Sequence, residues 1–318
     1  MNLDLLGPTI SSVVPILLLI GLGVLLRRLD VISEAAVEGF KRLVVNVVLP
    51  AVLFLAFLGL QWDPTTLWLV VLVPALCFLL LGIGYLIPRW LGTPRVSPFL
   101  FTGFEFGMVG LALFTAAYGM EHAPAAAIVG LGHEFFIWFV FVTLLKRQSD
   151  GAVSLGATLR SFVTSPVIIA IAAGLILNLA GLQWFMTGNI VAQPLTRTLE
   201  FLAGMIVPLI LIIVGYGTQL TRAGVRQAAP FVAVRFAVCL VLAVVVVFGI
   251  LGAWLGLPQP LQAALFMLLI LPPPFIVPLF LPASRASEIT FANNVLSLYT
   301  LVSVVAFLTY VAFVPVLN

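Results

Sequence analysis

From Phe236 to Ser284 the chain carries no Asp, Glu, Lys or Arg, and from Ile289 to Asn318 there is again none. Each stretch exceeds the ~20 apolar residues that cross ~30 Å of hydrocarbon. A 318-residue chain that is 63% hydrophobic and only 8% charged cannot hide this surface in one globular core, because an ordinary soluble domain is roughly a quarter charged. The bilayer is therefore the expected solvent.

Charges, prolines and turn residues divide the sequence into ten expected spans, at 9–28, 41–60, 65–87, 98–119, 124–146, 159–180, 199–219, 228–253, 260–282 and 290–315. The first apolar run, Thr9 to Leu26, leads directly into Arg27 and Arg28, which marks a retained span rather than a cleaved signal peptide. Basic residues stay on the cytoplasmic side. All of the 14 Lys and Arg except Arg197 and Arg235 fall in the odd-numbered connections, so both termini are expected outside a bacterial-type inner membrane that the chain crosses many times. The net charge of +3 is scattered rather than clustered and gives no nucleic-acid footprint, which leaves membrane lipids as the surrounding partner. Cys77 and Cys239 each lie inside a span and fit neither a disulfide framework nor a zinc set.

An odd number of spans per half inverts the second half relative to the first. The expected fold is thus an all-α membrane protein of about ten transmembrane helices, built as two inverted five-span repeats over 1–146 and 159–318 and joined by a polar cytoplasmic loop at 147–158. Weak internal echoes agree: Pro50 in the second span matches Pro208 in the seventh, and His133-Glu134 in the fifth stands where Asn293-Asn294 stands in the tenth.

The ninth span contains Pro272, Pro273, Pro274 and Pro278 in LPPPFIVPLFLP, and three successive prolines forbid a continuous helix. Unwound backbone at membrane depth survives only where protein or a water-filled cavity solvates it. Its repeat partner, the fourth span, reads FTGFEFGMVGLALF, with Gly103, Gly107 and Gly110 around Glu105. Glycines there permit either close helix packing or a break, and the matching position of the broken ninth span favours the break. Such paired interruptions mark a midplane site, where half-helix N-termini face an anion and freed carbonyls hold a cation or proton donor.

Charges deep in hydrocarbon need a cavity or a partner. Glu105, at the break, and His133 and Glu134, about ten residues into the fifth span, are the candidates for loading and releasing a coupling ion. A structural ion pair is the other reading of the fifth-span residues; adjacent helical residues point about 100° apart, so the two need different partners. Arg235 is expected to snorkel to the nearby interface, and Glu121, His122, Glu200 and Glu288 to lie at span ends. Asn46 and Asn178 are expected to make interhelical hydrogen bonds, while the Asn293-Asn294 pair beside the broken span suggests binding. Without HExxH, GxSxG, an Asp-rich diphosphate pattern or a P-loop, no catalytic residue, metal ligand or cofactor is expected.

NVVLPAVLF in the second span, PLILIIVGYGTQL in the seventh, PPPFIVPLF in the ninth and ANNVLSLYTLVSV in the tenth resemble the auxin efflux carrier family, which contains the plant PIN-FORMED proteins and bacterial malonate-type permeases. The resemblance runs through the whole chain in order and spacing. It implies a fold like that of bile-acid sodium symporters, with broken fourth and ninth spans crossing at the centre. It also implies an elevator in which spans three to five and eight to ten move against a scaffold of spans one, two, six and seven, and a homodimer formed through that scaffold. The family's fourth span usually has an Asn-Gly crossover with a proline; here Glu105 stands there and no proline occurs between Pro98 and Pro124.

The resulting expectation is a secondary transporter of a small organic anion. Its binding residues would be Glu105, Gly107, Gly110, Pro272, Pro273, Pro274, Pro278, Asn293 and Asn294, and its coupling residues Glu105, His133 and Glu134. The coupling ion is a proton or sodium. A channel and a non-transporting membrane sensor are the rival readings.

Overall fold

The computed structural model describes residues 3–60, 64–86, 93–150, 156, 160, 163–217 and 221–314. Among these every regular element is helical. Seven helical stretches are long and apolar enough to cross a membrane. They are α2 (Glu34–Leu58), α3 (Leu67–Leu86), the interrupted Ser97–Tyr118, α6 (Met120–Gln148), α8 (Gln193–Gly217), α9 (Arg222–Trp254) and α11 (Ala286–Phe313). Beside them lie α1 (Leu3–Arg28) and two shorter apolar helices, α7 (Pro166–Leu179) and α10 (Gln259–Ile270). The interrupted stretch consists of α4 (Ser97–Phe101) and α5 (106–118). The expected linker at 147–158 falls largely outside the described residues.

Two helices begin well before the hydropathy pattern places them, and in both a capping side chain is the reason. The Ser33 Oγ accepts from the Ala36 N–H at 3.2 Å and starts α2 ahead of its first apolar run. The Thr221 Oγ1 accepts from the Gly224 N–H at 3.0 Å and starts α9 at Arg222 rather than at 228. That early start moves Arg235 thirteen residues into its helix.

The helices pair in an exchanged pattern: α1 packs along α8, and α7 packs along α2. Both contacts are backbone on backbone. A Cβ at Gly23 of α1 would lie 2.8 Å from the Tyr216 nitrogen of α8, and one at Gly174 of α7 would lie 2.6 Å from the Phe54 oxygen of α2. Between membrane helices such close approach is available only to small residues, because lipid supplies no hydrophobic drive to pair them. Asn178 then locks the second pair. Its amide donates to the Leu58 and Leu60 carbonyls at 2.8 and 2.7 Å, closing the end of α2. The other helices follow the same logic, with α3 against α6 and α9 against α11.

Gly174→Leu is expected to lower stability by about 1–3 kcal/mol through forced separation of α7 and α2. Gly21→Leu, at a position with open space around it, should stay within about 0.5 kcal/mol. Unfolding midpoints in detergent compare the two, and equal shifts would sink the close-packing account.

Candidate functional site

At the centre two interrupted segments meet. The first stops at Phe101, runs unwound through Thr102–Glu105 and resumes as α5. Gly103 makes this turn with φ +69°, and a Cβ on it would lie 2.9 Å from both Ile137 and Pro274. The fourth span is therefore broken without a proline. The second segment, α10, ends at Ile270, and the chain stays non-helical from Leu271 to Val277, across the three prolines.

Unwound backbone in an apolar interior must have its hydrogen bonds supplied by the protein. Arg235 supplies three of them. Its Nε donates to the Phe101 carbonyl at 3.1 Å, one terminal nitrogen to Leu271 at 3.0 Å and the other to Gly103 at 2.8 Å. The guanidinium also stands over the Tyr299 ring at 4.3 Å and the Phe104 ring at 5.3 Å. The Phe101 and Leu271 carbonyls stand at the C-terminal ends of α4 and α10, the negative poles of both helices, and that of Gly103 lies in the unwound turn. Bonds to a charged donor contribute roughly 1.5–3 kcal/mol each, enough to offset a cost of about 2.5–3.5 kcal/mol for a cation at bilayer centre. The snorkelling expectation for Arg235 is corrected: the residue is 0% exposed because α9 starts early and carries it to the crossing.

Glu105 does the converse at the positive pole. Its Oε2 accepts from the Phe275 N–H at 2.6 Å, and its Oε1 caps α5 by accepting from the Met108 N–H at 3.4 Å. Its own N–H donates to the Pro272 carbonyl at 2.8 Å, which ties the two unwound stretches together. The Ser303 hydroxyl donates to the Ile270 carbonyl at 2.6 Å. The Phe104 N–H donates to His133 Nε2 at 2.9 Å. Because Nε2 accepts, the His133 proton sits on Nδ1 and the ring is neutral.

Beside the crossing opens a cavity of about 630 Å³. One wall comes from α2, α7 and α8 through residues such as Leu49, Val167 and Ile213; the other comes from the crossing, α6 and α11. Of the expected site residues, Glu105, Gly107, His133, Glu134, Pro274, Pro278 and Asn293 line it. Gly110, Pro272, Pro273 and Asn294 do not line it. Gly110 faces Met267 and Leu271, where a Cβ would meet α10, and Pro272 and Pro273 are buried within the crossing. Asn294 lies one helical step, about 100°, from Asn293 and donates to Gln227 of α9 at 3.1 Å. Glu134 accepts from the Trp138 indole N–H at 3.0 Å. Lys41 and Arg42 line the cavity from the end of α2 that carries the α1–α2 connection.

Sequence reasoning missed Arg235 and Trp138 as parts of this centre. The signal for Arg235 was present, as the one Lys or Arg more than two residues inside an expected span. Arg235→Met should destabilise the protein by about 3 kcal/mol or more, since three buried carbonyls lose their donor. Arg235→Lys should recover only part of that, because an ammonium lacks the planar fork. Unfolding midpoints matching the parent in both variants would show that other groups hold the crossing.

No family model matches the chain. Its sequence is 27% identical over 213 residues to an uncharacterized transporter of Methanothermobacter thermautotrophicus, a match that covers 64% of this chain and 66% of that protein, just under two thirds of its length. The chain is a membrane-integral helical protein, similar over those residues to a transporter.

Proposed function

We propose that the chain is a secondary active transporter that carries a small charged organic solute across the membrane by alternating access. The observation that carries this reading is the crossing of two interrupted segments beside a cavity whose wall holds Glu105, His133 and Glu134. Interrupted segments in an apolar interior are retained where they line a transport path, and ionisable groups at that depth mark the path itself. The similarity to a named transporter supports the same class.

In this proposal the membrane is crossed ten times, by the seven long helical stretches together with α1, α7 and α10. The spans form two inverted repeats, 1–146 and 159–318, and the exchanged pairing of α1 with α8 and α7 with α2 is the pattern a pseudo-twofold axis produces. Both termini lie outside the inner membrane, so the Lys41–Arg42 end of the cavity faces the cytoplasm. The wall made by α2, α7 and α8 belongs to a scaffold that dimerises, and the opposite wall moves as an elevator, as the auxin-efflux-carrier resemblance implies. Lys41 and Arg42 favour a second reading, an organic anion that enters with a proton. A proton reaching Glu105 would weaken its hold on the Phe275 N–H and let the solute's carboxylate compete for it. Sodium is the alternative coupling ion.

Uptake of labelled amines, carboxylates and indole acids into proteoliposomes, under separate pH and sodium gradients, is expected to show one solute class accumulating saturably with one gradient. Currents far above carrier turnover would indicate a pore instead, and folded protein without any uptake would overturn the proposal. Topology is tested through Ser297→Cys, which lines the cavity. The two native thiols are fully buried and should stay silent. An impermeant thiol reagent should label the new cysteine from the cytoplasmic side and not from the outside when the carrier adopts this conformation.

A further inference from the structure

We propose that the cavity at the crossing binds a cation, the protonated amine of a small organic solute with an apolar or aromatic body, held between Glu105 and Glu134. This rests on the carrier reading above and deepens it by assigning the sign of the solute's charge.

The first support is the charge count around the deep end of the cavity. Two carboxylates, Glu105 and Glu134, line it there, and the cations lining the cavity, Lys41 and Arg42, belong to the N-terminal part of α2 at its mouth. Lys41 is already 3.4 Å from Glu38. Arg235 does not line the cavity; its guanidinium is consumed by three carbonyls and two rings on the far side of the crossing. His133 cannot supply the missing positive charge, because its Nε2 accepts from a backbone N–H and its ring is neutral.

The second support is independent of the carboxylates. His133 is 1% exposed, and its Nδ1, at the cavity wall, makes no hydrogen bond although it lies 3.5 Å from Glu134. A buried donor left without a partner is uncommon, and here it belongs to a residue of the cavity wall. A solute bearing an oxygen beside its amine would satisfy it.

The half-helix end where an organic anion was expected is occupied. Glu105 already takes the Phe275 and Met108 N–H groups, so the positive pole is neutralised by the protein itself. A carboxylate offers about four lone-pair sites, which leaves Glu105 able to accept further donors from an ammonium. The surrounding wall is aromatic, with Phe104, Phe106, Phe275 and Trp138, and ring faces attract an organic cation. An inorganic ion fits less well, since it needs a shell of several converging oxygens and most of this wall is carbon. The volume of about 630 Å³ falls in the range of small-molecule sites.

The test uses matched pairs with one ring and opposite charge: tryptamine against indole-3-acetate, and 2-phenylethylamine against phenylacetate, with sodium and potassium chloride at equal ionic strength as inorganic arms. Binding to purified full-length protein is read by thermal stabilisation and calorimetry, apart from transport. The amines should raise the unfolding temperature saturably. Glu105→Gln and Glu134→Gln should each weaken amine binding roughly tenfold or more, while Glu105→Asp, which keeps the charge, should retain a measurable part. Each variant is first shown monodisperse and helical, so that lost binding is not lost folding. Stabilisation by the carboxylates alone, by sodium alone, or by no probe would each overturn the cation assignment. Amine binding without uptake under any gradient would instead sustain the assignment and defeat the carrier reading.

Discussion

Backbone that leaves its helix inside an apolar interior must find every hydrogen bond within the protein, and this requirement organises the centre of the molecule. Three residues of separate helices and two of the unwound stretch itself answer it. Arg235 of α9 takes the carbonyls that α4 and α10 leave open, Ser303 of α11 takes the Ile270 carbonyl, His133 of α6 takes the Phe104 N–H, and Glu105 takes those of Phe275 and Met108. Thr102 completes the set by donating to the Cys77 carbonyl of α3 at 2.6 Å. The crossing is thus bonded to all the helices that surround it on one side of the cavity. It would move with them as one body, because shifting any one of these helices alone would strand a polar group in a region without water.

The opposite wall is held by close packing. There the contacts are close approaches of glycine and backbone, Gly23 on α8 and Gly174 on α2, with polar locks at Asn178 and between Arg27 and Tyr216. Both sides use close packing of small residues, and what sets one of them apart is the set of directed hydrogen bonds to unwound backbone. The cavity follows the boundary between them. Such a boundary, with few polar links across it, is where relative sliding costs least.

Much of the centre could be read from the residues themselves. Pro272 to Pro274 dictated a break wherever the surrounding helices lay, because proline chemistry is local. Glu105, His133 and Glu134 were legible for a similar reason: an ionisable group in a long apolar run must face something polar, whatever the fold. What could not be read was direction. Asn293 and Asn294 are one residue apart, yet one lines the cavity and the other pairs with Gln227, and only the rotation of α11 about its axis decides which. Arg235 was misplaced for another reason. Hydropathy locates where a helix becomes apolar, whereas the Thr221 cap sets where it begins, and the six-residue difference separates an interfacial side chain from a central one.

Because Arg235 and Glu105 neutralise the two poles of the crossing from within, the helix ends do not choose the sign of the ligand's charge. An unneutralised crossing would hold a positive and a negative end near the cavity, and an ion of either sign could use one of them. Here the negative end is sealed behind Arg235, and the positive end presents a carboxylate in place of free N–H groups. In the carrier proposal, charge selection passes to the side chains that face the cavity, chiefly Glu105 and Glu134. Backbone geometry and ligand chemistry are thereby separated. The Phe275 N–H would be free to receive an anion only if the side chain at position 105 lacked an acceptor, while Arg235 would still hold the carbonyl ends.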